Sequence, residues 1–357
     1  MIISERNKMT IAQNLQPFDN CPALDGYHCQ TNSLVKIYHF YGHPLSEDML
    51  LGLGAGMGFI YWKMKLDVEP YIFIGGRANN KNFFQDLGQR TGVDIQEVST
   101  SSSQKAQSTL LDHLSRKEPI MLFGDMGYLP WFKFPVEYHF GGHTFTICGF
   151  DGAETLLASD MDPQATGSKK GFYHQVTLAQ LSKARNSPFK PFPPKNTYLK
   201  FDFSQYHAPT SADIYAAIHQ TVESQLNPPI KNMGVKGLRL TATEIKKWPS
   251  LFNDHTLRMN LFNLYLFIEI GGTGGGCFRY MYARFLQESA LITKNDQLNL
   301  SAQTFNASGK ILSQIGEMFK GAEQDQDISE RITTASEKLI QAAELEERVL
   351  SQLSSLI

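Results

Sequence analysis

The chain has 357 residues, of which 42% are hydrophobic and 19% charged, and its formal net charge is -2. This length predicts about two domains, and the composition excludes a wholly disordered chain. No run of five basic residues is present. The sequence therefore lacks the electrostatic signature of a nucleic-acid-binding protein.

Four cysteines occur without a CxxC pair, at Cys21, Cys29, Cys148 and Cys277. They are too few for a disulfide framework in a chain of this length, and their spacing does not favour a structural zinc site. Residues 1–13 contain no apolar h-region, so no signal peptide is predicted there. Free thiols and the missing signal peptide lead us to expect a cytoplasmic protein.

The first half of the chain combines helices with short apolar strands. Leu34, Ile37 and Tyr38 recur at helical spacing after Cys29, and Ser46 precedes the next helix as its N-cap. Further helices are predicted over 79–91, 104–114 and 178–184, and strands over 119–123, 142–150 and 155–159. Four prolines in 186–196 exclude a helix there. We place a domain boundary slightly later, which divides the chain into 1–207 and 208–357.

The second half is helical in character. Helices are predicted over 211–226, 241–248, 259–270, 278–289 and 328–353. The most apolar stretch, Met259 to Ile270, is shorter than the roughly twenty residues of a membrane span, so we interpret it as a buried helix. The last helix is amphipathic and is expected to pack in a bundle or on a partner, for example in a homodimer.

Cys29 is a candidate nucleophile because a glycine turn, beginning at Gly26, leads it into the first turn of a helix. Unpaired backbone N–H groups and the positive end of the helix dipole stabilise a thiolate there and lower the pKa of the thiol. The alternative interpretation is a small buried hydrophobe, which is the usual role of a free cysteine.

His143 and Asp160 lie on two predicted strands that flank Asp151-Gly152. A two-residue turn at this dipeptide would place His143 directly opposite Asp160, with their Cβ atoms about 4.5–5.5 Å apart. A four-residue turn would place Asp162 there instead, so Asp162 is the alternative partner. Strand alternation turns Cys148 to the other face, where it is expected in the core. A structural histidine beside a carboxylate is the alternative to a catalytic role.

Cysteine, histidine and aspartate in these contexts predict covalent catalysis. His143 would take the thiol proton, Asp160 would orient the imidazole, and Cys29 would attack a thioester, amide or ester carbonyl to form an acyl-enzyme. The backbone N–H of Cys29 and one further donor would stabilise the oxyanion.

Several segments together resemble the butirosin biosynthesis protein H family. They are the cysteine at the helix start, the glycine-rich 52–59, the Gly-Gly-His hairpin that ends in Ser-Asp, and 269–286, which looks like the signature of the accompanying helical domain. The resemblance implies an α+β fold: a papain-like domain related to the C39 peptidases, in which an antiparallel sheet joins a helix that bears the nucleophile, followed by a mainly α-helical accessory domain.

The resemblance also implies acyl transfer in natural-product metabolism, from an acyl carrier protein or another thioester donor to a small-molecule amine. No cofactor is implied beyond the acyl-phosphopantetheine arm of the donor. Papain-like enzymes usually carry an oxyanion-hole glutamine about six residues before the cysteine, where this chain has Ala23. Gln30, Asn32 and Tyr27 are the candidates to replace it. The alternatives are a cysteine hydrolase on the same three residues and a non-catalytic binding protein.

Two glycine-rich segments are candidate ligand-binding loops. Gly52 to Gly58 follows a helix, unlike a dinucleotide loop, and is expected to allow close backbone packing. Gly271 to Gly276 precedes a helix but lacks a Walker lysine. Arg279 and Glu269 are candidate substrate-binding residues there, although an ion pair is favoured for Arg279, with Glu269 as one candidate partner. The histidines show no metal-ligand spacing, so no metal is expected.

Overall fold

The computed structural model describes residues 15–65, 70–78, 81–134, 137–161, 168–322 and 328–356. The chain divides into two compact units, each discontinuous in sequence. The smaller unit comprises the described residues of Met1–Leu24, Val98–Asp160 and Gly171–Leu199. The larger unit comprises those of Asp25–Glu97, Met161–Lys170 and Lys200–Ile357. The predicted sequential division at 207/208 remains a prediction.

Among the described residues, strands and helices mix as far as Asp202, and the elements beyond it are helical. The strands are β1 Met57–Lys65, β2 Pro70–Arg77, β3 Asp94–Val98, β4 Ile120–Gly124, β5 His143–Phe150, β6 Thr155–Met161, β7 Gly171–Thr177 and β8 Tyr198–Asp202. The helices are α1 Cys29–Phe40, α2 Glu47–Leu53, α3 Phe83–Thr91, α4 Ser103–Ser115, α5 Leu178–Arg185, α6 Ser211–Leu226, α7 Gly234–Ile245, α8 Trp248–Leu251, α9 Asp254–Tyr265, α10 Arg279–Thr293, α11 Gln297–Phe319 and α12 Ile328–Ser354. This composition is the α+β class that was expected.

The smaller unit is built on a sheet. Five strands of a six-stranded sheet run through it in the order β8-β4-β5-β6-β7, and β5 is antiparallel to both β4 and β6. One sheet face carries Phe145 and Ile147 from β5 and Ala158 from β6 into a hydrophobic cluster. Because side chains alternate along a strand, His143 lies on the same face of β5 as these residues.

The hairpin between β5 and β6 corrects the predicted register. Its loop has four residues, since β5 ends at Phe150 and β6 begins at Thr155. Oδ1 of Asp151 accepts hydrogen bonds from the backbone N–H groups of Ala153, Glu154 and Thr155. These bonds stabilise the four-residue loop. The two-residue turn at Asp151-Gly152 was therefore wrong, and the alternative four-residue turn is confirmed.

A β-bulge shifts the pairing further along the same hairpin. Ile147 pairs with Ala158 and Gly149 with Leu157, so Cys148 is the extra residue in β5. Beyond the bulge Thr146 pairs with Ser159. Asp160 is thus not directly opposite His143, which corrects the prediction, and the alternative partner Asp162 lies outside the described residues. Cys148 is fully buried, as expected.

In the larger unit, helix α1 is joined to α2, whose N-cap is Ser46 as predicted: its Oγ accepts a hydrogen bond from the N–H of Met49. An antiparallel hairpin of β1 and β2 follows and was not predicted. The glycines of segment 52–58, at the end of α2 and the start of β1, permit close packing, as expected. A Cβ atom on Gly54 would lie 2.2 Å from the ring of Phe83, and one on Gly58 would lie 2.5 Å from Cβ of Ala78.

The helices from α6 to α12 pack on one another. Helix α12 contacts α11, α7 and α6, which places the predicted amphipathic helix in a bundle within the chain. The apolar segment Met259 to Ile270 is helical but not a single α-helix, because α9 continues into a π-helical turn over Leu266–Ile270. Among the residues that the structure describes, no helix is long and apolar enough to cross a membrane.

Candidate functional site

His143 and Asp160 form a buried pair in the smaller unit. Nε2 of His143 lies 2.7 Å from Oδ2 of Asp160, and the two residues are 7% and 2% exposed. An ionised carboxylate only accepts hydrogen bonds, so Nε2 of a neutral imidazole carries the proton in this pair. Proton exchange with a nucleophile would then fall to Nδ1.

Trp131 is a second partner of Asp160 that the sequence did not reveal. Its indole Nε1 donates a hydrogen bond of 2.8 Å to the same Oδ2 that contacts His143. The indole ring stacks on His174, with 4.8 Å between ring centroids. The one available sequence signal is that a buried indole N–H needs an acceptor. Nothing in the spacing of 131 and 160 points to this acceptor.

Aromatic rings flank the imidazole of His143. Phe132 meets it edge-to-face, with centroids 5.0 Å apart and an interplanar angle of 82°. Phe145 lies on the same strand face, 6.1 Å away and nearly parallel. Such apolar contact keeps water from the pair and strengthens its electrostatic interaction.

Cys29 is the first residue of helix α1, as predicted from the sequence. Its N-cap is His28, whose backbone is extended and whose side chain makes no capping hydrogen bond. Cys29 is half-buried, whereas the other three cysteines of the chain are buried. A thiol at this position combines access with the partial positive charge of the helix N-terminus.

The carboxylate of Glu47, at the start of α2, caps the beginning of α1. It accepts hydrogen bonds from the backbone N–H groups of Tyr27 (2.7 Å) and His28 (3.2 Å) and from Oγ1 of Thr31 (3.0 Å). Burial raises the pKa of Glu47 to about 7, although these three hydrogen bonds act in the opposite direction. The loop that leads into Cys29 is therefore held by a buried titratable group.

Arg77, the last residue of β2, also reaches the start of α1. Its Nη1 lies 2.6 Å from Nε2 of His28 and donates to Oε1 of Gln30 at 3.1 Å. Sequence analysis missed Arg77 because it missed the β1–β2 hairpin that carries it. A lone arginine 48 positions from a cysteine has no motif that would identify it.

The three predicted oxyanion candidates have other contacts. Gln30 accepts from Arg77 through its side-chain oxygen. Nδ2 of Asn32 donates to the backbone oxygen of Asp25 at 3.3 Å, and the residue is 1% exposed. The backbone N–H of Tyr27 binds Glu47. Their assignment as oxyanion donors remains a prediction.

Glu269 and Arg279 do not pair with each other. Oε1 of Glu269 accepts from the N–H of Gly276 (3.1 Å) and from Oγ of Ser313 (2.6 Å). Arg279 is fully buried and forms a bidentate pair with Glu346, through Nε at 2.8 Å and Nη2 at 2.9 Å. The role of both residues in substrate binding remains a prediction.

The residues predicted for catalysis are divided between the units. His143 and Asp160 belong to the smaller unit, where the structure brings them together, and Cys29 belongs to the larger unit. In the described part of the chain, no group of three or more histidine, cysteine, aspartate or glutamate residues could hold a metal ion.

The described residues thus combine an α+β fold, a cysteine at a helix N-terminus and a buried His–Asp pair. Residues 28–161 match the family described as butirosin biosynthesis protein H, N-terminal. Residues 179–353 match a domain of unknown function, DUF4872. The chain therefore contains a butirosin biosynthesis protein H-like N-terminal domain, and this match includes Cys29, His143 and Asp160. No curated protein matches the chain.

Proposed function

We propose that this protein is a cysteine-dependent acyltransferase with a papain-like catalytic arrangement. It would move an acyl group from a thioester, in the first place an acyl carrier protein thioester, to an amine of a small molecule. The observation that carries the proposal is the buried pair of His143 and Asp160 with 2.7 Å between Nε2 and Oδ2. A carboxylate in this position fixes the tautomer and orientation of a general base.

Cys29 is the proposed nucleophile. Among the described residues it is the one cysteine that is only partly buried, and it begins helix α1. In this proposal His143 takes the thiol proton and the thiolate sulfur attacks the donor carbonyl. The carbon–sulfur bond to the donor breaks, and the donor thiolate leaves with the proton from His143. An amine then attacks acyl-Cys29, loses a proton to His143 and expels the Cys29 thiolate.

The family supports a biosynthetic role. Butirosin biosynthesis protein H is named for a biosynthetic pathway, and the matching range contains all three proposed catalytic residues. The DUF4872 match carries no activity in its description. We therefore assign the chemistry to residues of the N-terminal match and an accessory role to helices α6 to α12.

Intact-protein mass spectrometry tests the proposal. The wild-type protein is mixed with a panel of acyl thioesters that includes acyl carrier protein thioesters, beside Cys29→Ala and the buried control Cys21→Ala. We expect an acyl adduct on the wild type and on Cys21→Ala, and none on Cys29→Ala. Addition of amines should accelerate loss of the adduct and yield amide, whereas a hydrolase would lose the adduct at the same rate without amine. A wild-type protein that forms no adduct with any donor would contradict the proposal.

A further inference from the structure

The guanidinium of Arg77 is anchored to both residues that flank Cys29 in the sequence. Nη1 contacts Nε2 of His28 at 2.6 Å and Oε1 of Gln30 at 3.1 Å. Nε donates to the backbone oxygen of Gly56 at 3.1 Å. Since arginine only donates, His28 accepts through Nε2 and carries its proton on Nδ1. The orientation of the guanidinium is thus fixed by three acceptors.

These contacts use three of the five N–H groups of Arg77 and leave the two on Nη2. Nη2 is buried and has no hydrogen-bond partner among the residues that the structure describes. The ring of Phe83 lies 4.2 Å from the guanidinium carbon, and that of Phe278 lies 5.9 Å away. A buried cationic donor without an acceptor is unfavourable, because it has lost its hydrogen bonds to water and gained none in the protein. A protein retains such a group where a ligand atom supplies the acceptor.

We propose that Nη2 of Arg77 is the second donor for the oxyanion that forms when Cys29 attacks an acyl group, beside the backbone N–H of Cys29. This inference rests on the proposed function and names a catalytic residue for it. When Sγ bonds to the carbonyl carbon, the carbonyl π electrons move to oxygen, and Arg77 stabilises that negative charge. When the donor thiolate leaves, the carbonyl reforms and the hydrogen bond to Arg77 weakens.

Charge supports this role. Burial lowers the pKa of Arg77 to about 10, and the negative charge of the Cys29 thiolate acts in the opposite direction. The guanidinium therefore stays cationic at neutral pH, and it interacts electrostatically with the proposed nucleophile. A fixed, buried cation flanked by phenylalanine rings stabilises a developing anion more than it would in water.

Arg77 fits the role better than the residues that the sequence suggested. The guanidinium is a cation held by three acceptors, whereas Gln30 and Asn32 offer neutral amides, and one N–H of Asn32 already donates to Asp25. The side-chain oxygen of Gln30 accepts from Arg77. Gln30 is then a positioning residue, because it holds the guanidinium in place. This also accounts for the absence of a glutamine at Ala23, since a cation from β2 supplies the donor.

The test compares two reactions of Cys29 that differ in whether an oxyanion forms. Acylation by a carrier-protein thioester or by p-nitrophenyl acetate passes through a tetrahedral oxyanion, whereas alkylation by iodoacetamide does not. Both rates are measured by quenched-flow sampling and intact mass for the wild type, Arg77→Met, Arg77→Lys, Gln30→Ala and Arg90→Met. Arg90 is the matched control, a part-buried arginine that donates to Leu53 and Gln220.

We expect acylation of Arg77→Met to fall about 100- to 1000-fold, the usual loss of an oxyanion donor, and its alkylation to change less than about tenfold. Gln30→Ala should lose about three- to tenfold in acylation alone, as expected for one weakened hydrogen bond. Arg77→Lys should lie between the wild type and Arg77→Met, and Arg90→Met should match the wild type. Circular dichroism verifies the fold, and Gln30→Ala carries the test if Arg77→Met does not fold.

Two results would overturn the inference. One is an acylation rate in Arg77→Met equal to that of the wild type. The other is an equal fall in the rates of acylation and alkylation, which would show that Arg77 stabilises the Cys29 thiolate and not the oxyanion. Failure of the proposed function is read separately. If no carrier thioester acylates the wild type but p-nitrophenyl acetate acylates Cys29, the donor assignment is wrong. The role of Arg77 is then tested by comparing the rates at which p-nitrophenyl acetate acylates the wild type and the Arg77 variants.

Discussion

Nε2 of His143 and Oδ2 of Asp160 are 2.7 Å apart although the two residues are not opposite each other in the sheet. Thr146 pairs with Ser159, so one step further along the hairpin position 160 lies across from Phe145. Asp160 is thus a diagonal neighbour of His143. Diagonal neighbours in an antiparallel pair are about 7–8 Å apart, a distance that an imidazole and a carboxylate can bridge.

Asp160→Asn tests whether this pair orients a general base. The amide keeps the shape of the side chain but can offer its NH2 to Nε2, which favours the wrong tautomer of His143. We expect turnover to fall about 100- to 10,000-fold, with circular dichroism unchanged. The measurement is the rate of amide formation from a thioester donor and an amine. Turnover within a factor of two of the wild type would assign the pair a structural role.

The sequence predicted the His–Asp pair through a wrong register. The observed pairing differs from the predicted one by two positions, since Asp160 lies across from Phe145 instead of His143. A shift of two positions leaves both side chains on the same face of the sheet. The turn was wrong because Asp151 uses its own side chain to bind three backbone N–H groups. A bulge at Cys148 adds another shift that has no sequence signal. A shift of one position would have turned Asp160 to the opposite face, so the turn and the bulge together decide whether the pair can form.

Other elements were missed for physical reasons. Helix α11 is 23 residues long, yet its buried face includes Ser301, Ser308, Gly309 and Gly316, which interrupt the apolar period. These small residues permit close approach: a Cβ on Gly309 would lie 2.7 Å from the ring of Tyr280. The β1–β2 hairpin was missed as well, and with it Arg77. Cys29 was found because a helix start is a local signal.

Trp131→Phe tests the second donor to Asp160. The phenyl ring keeps the apolar contact but removes the 2.8 Å hydrogen bond to Oδ2. A hydrogen bond to a charged group contributes about 1.5–3 kcal/mol, so we expect turnover to fall about tenfold or more. KM for the thioester should not change, since Trp131 acts through Asp160. Exposed Trp62→Phe is the control. A rise in KM without a fall in kcat would contradict this role.

Glu47→Gln should alter how stability depends on pH. Burial raises the pKa of Glu47 from 4.5 to about 7, so between these values the folded state binds more protons than the unfolded state. The contribution of Glu47 to stability is therefore fully present below pH 4.5 and is lost as pH rises to about 7, by up to about 3 kcal/mol. Glutamine does not titrate in this range.

The difference in Tm, Glu47→Gln minus wild type, should consequently become more positive between pH 5 and pH 7.5. Differential scanning calorimetry at several pH values measures it, and exposed Glu330→Gln should show a difference that does not vary with pH. A constant or falling difference for Glu47→Gln would show that Glu47 is ionised throughout in the folded protein.

The pair of Arg279 and Glu346 provides the last test, because it separates structural from substrate-binding roles. Both side chains are fully buried, and Nη1 of Arg279 also donates to the backbone oxygens of Gly58 and Cys277. Glu346→Gln would leave a buried cation without its counter-ion, so we expect the free energy of unfolding to fall by about 3–5 kcal/mol in urea titrations. Exposed Glu347→Gln, which loses a surface ion pair with Arg239, should cost no more than about 1 kcal/mol.

Substrate binding is measured on the same variant at a temperature where it remains folded. If Arg279 acts only through its pair with Glu346, KM for the thioester should equal that of the wild type. The reason is that its guanidinium makes four hydrogen bonds to described protein atoms: two with Glu346, one with Gly58 and one with Cys277. A severalfold rise in KM, together with wild-type stability, would instead support the predicted substrate-binding role of Arg279.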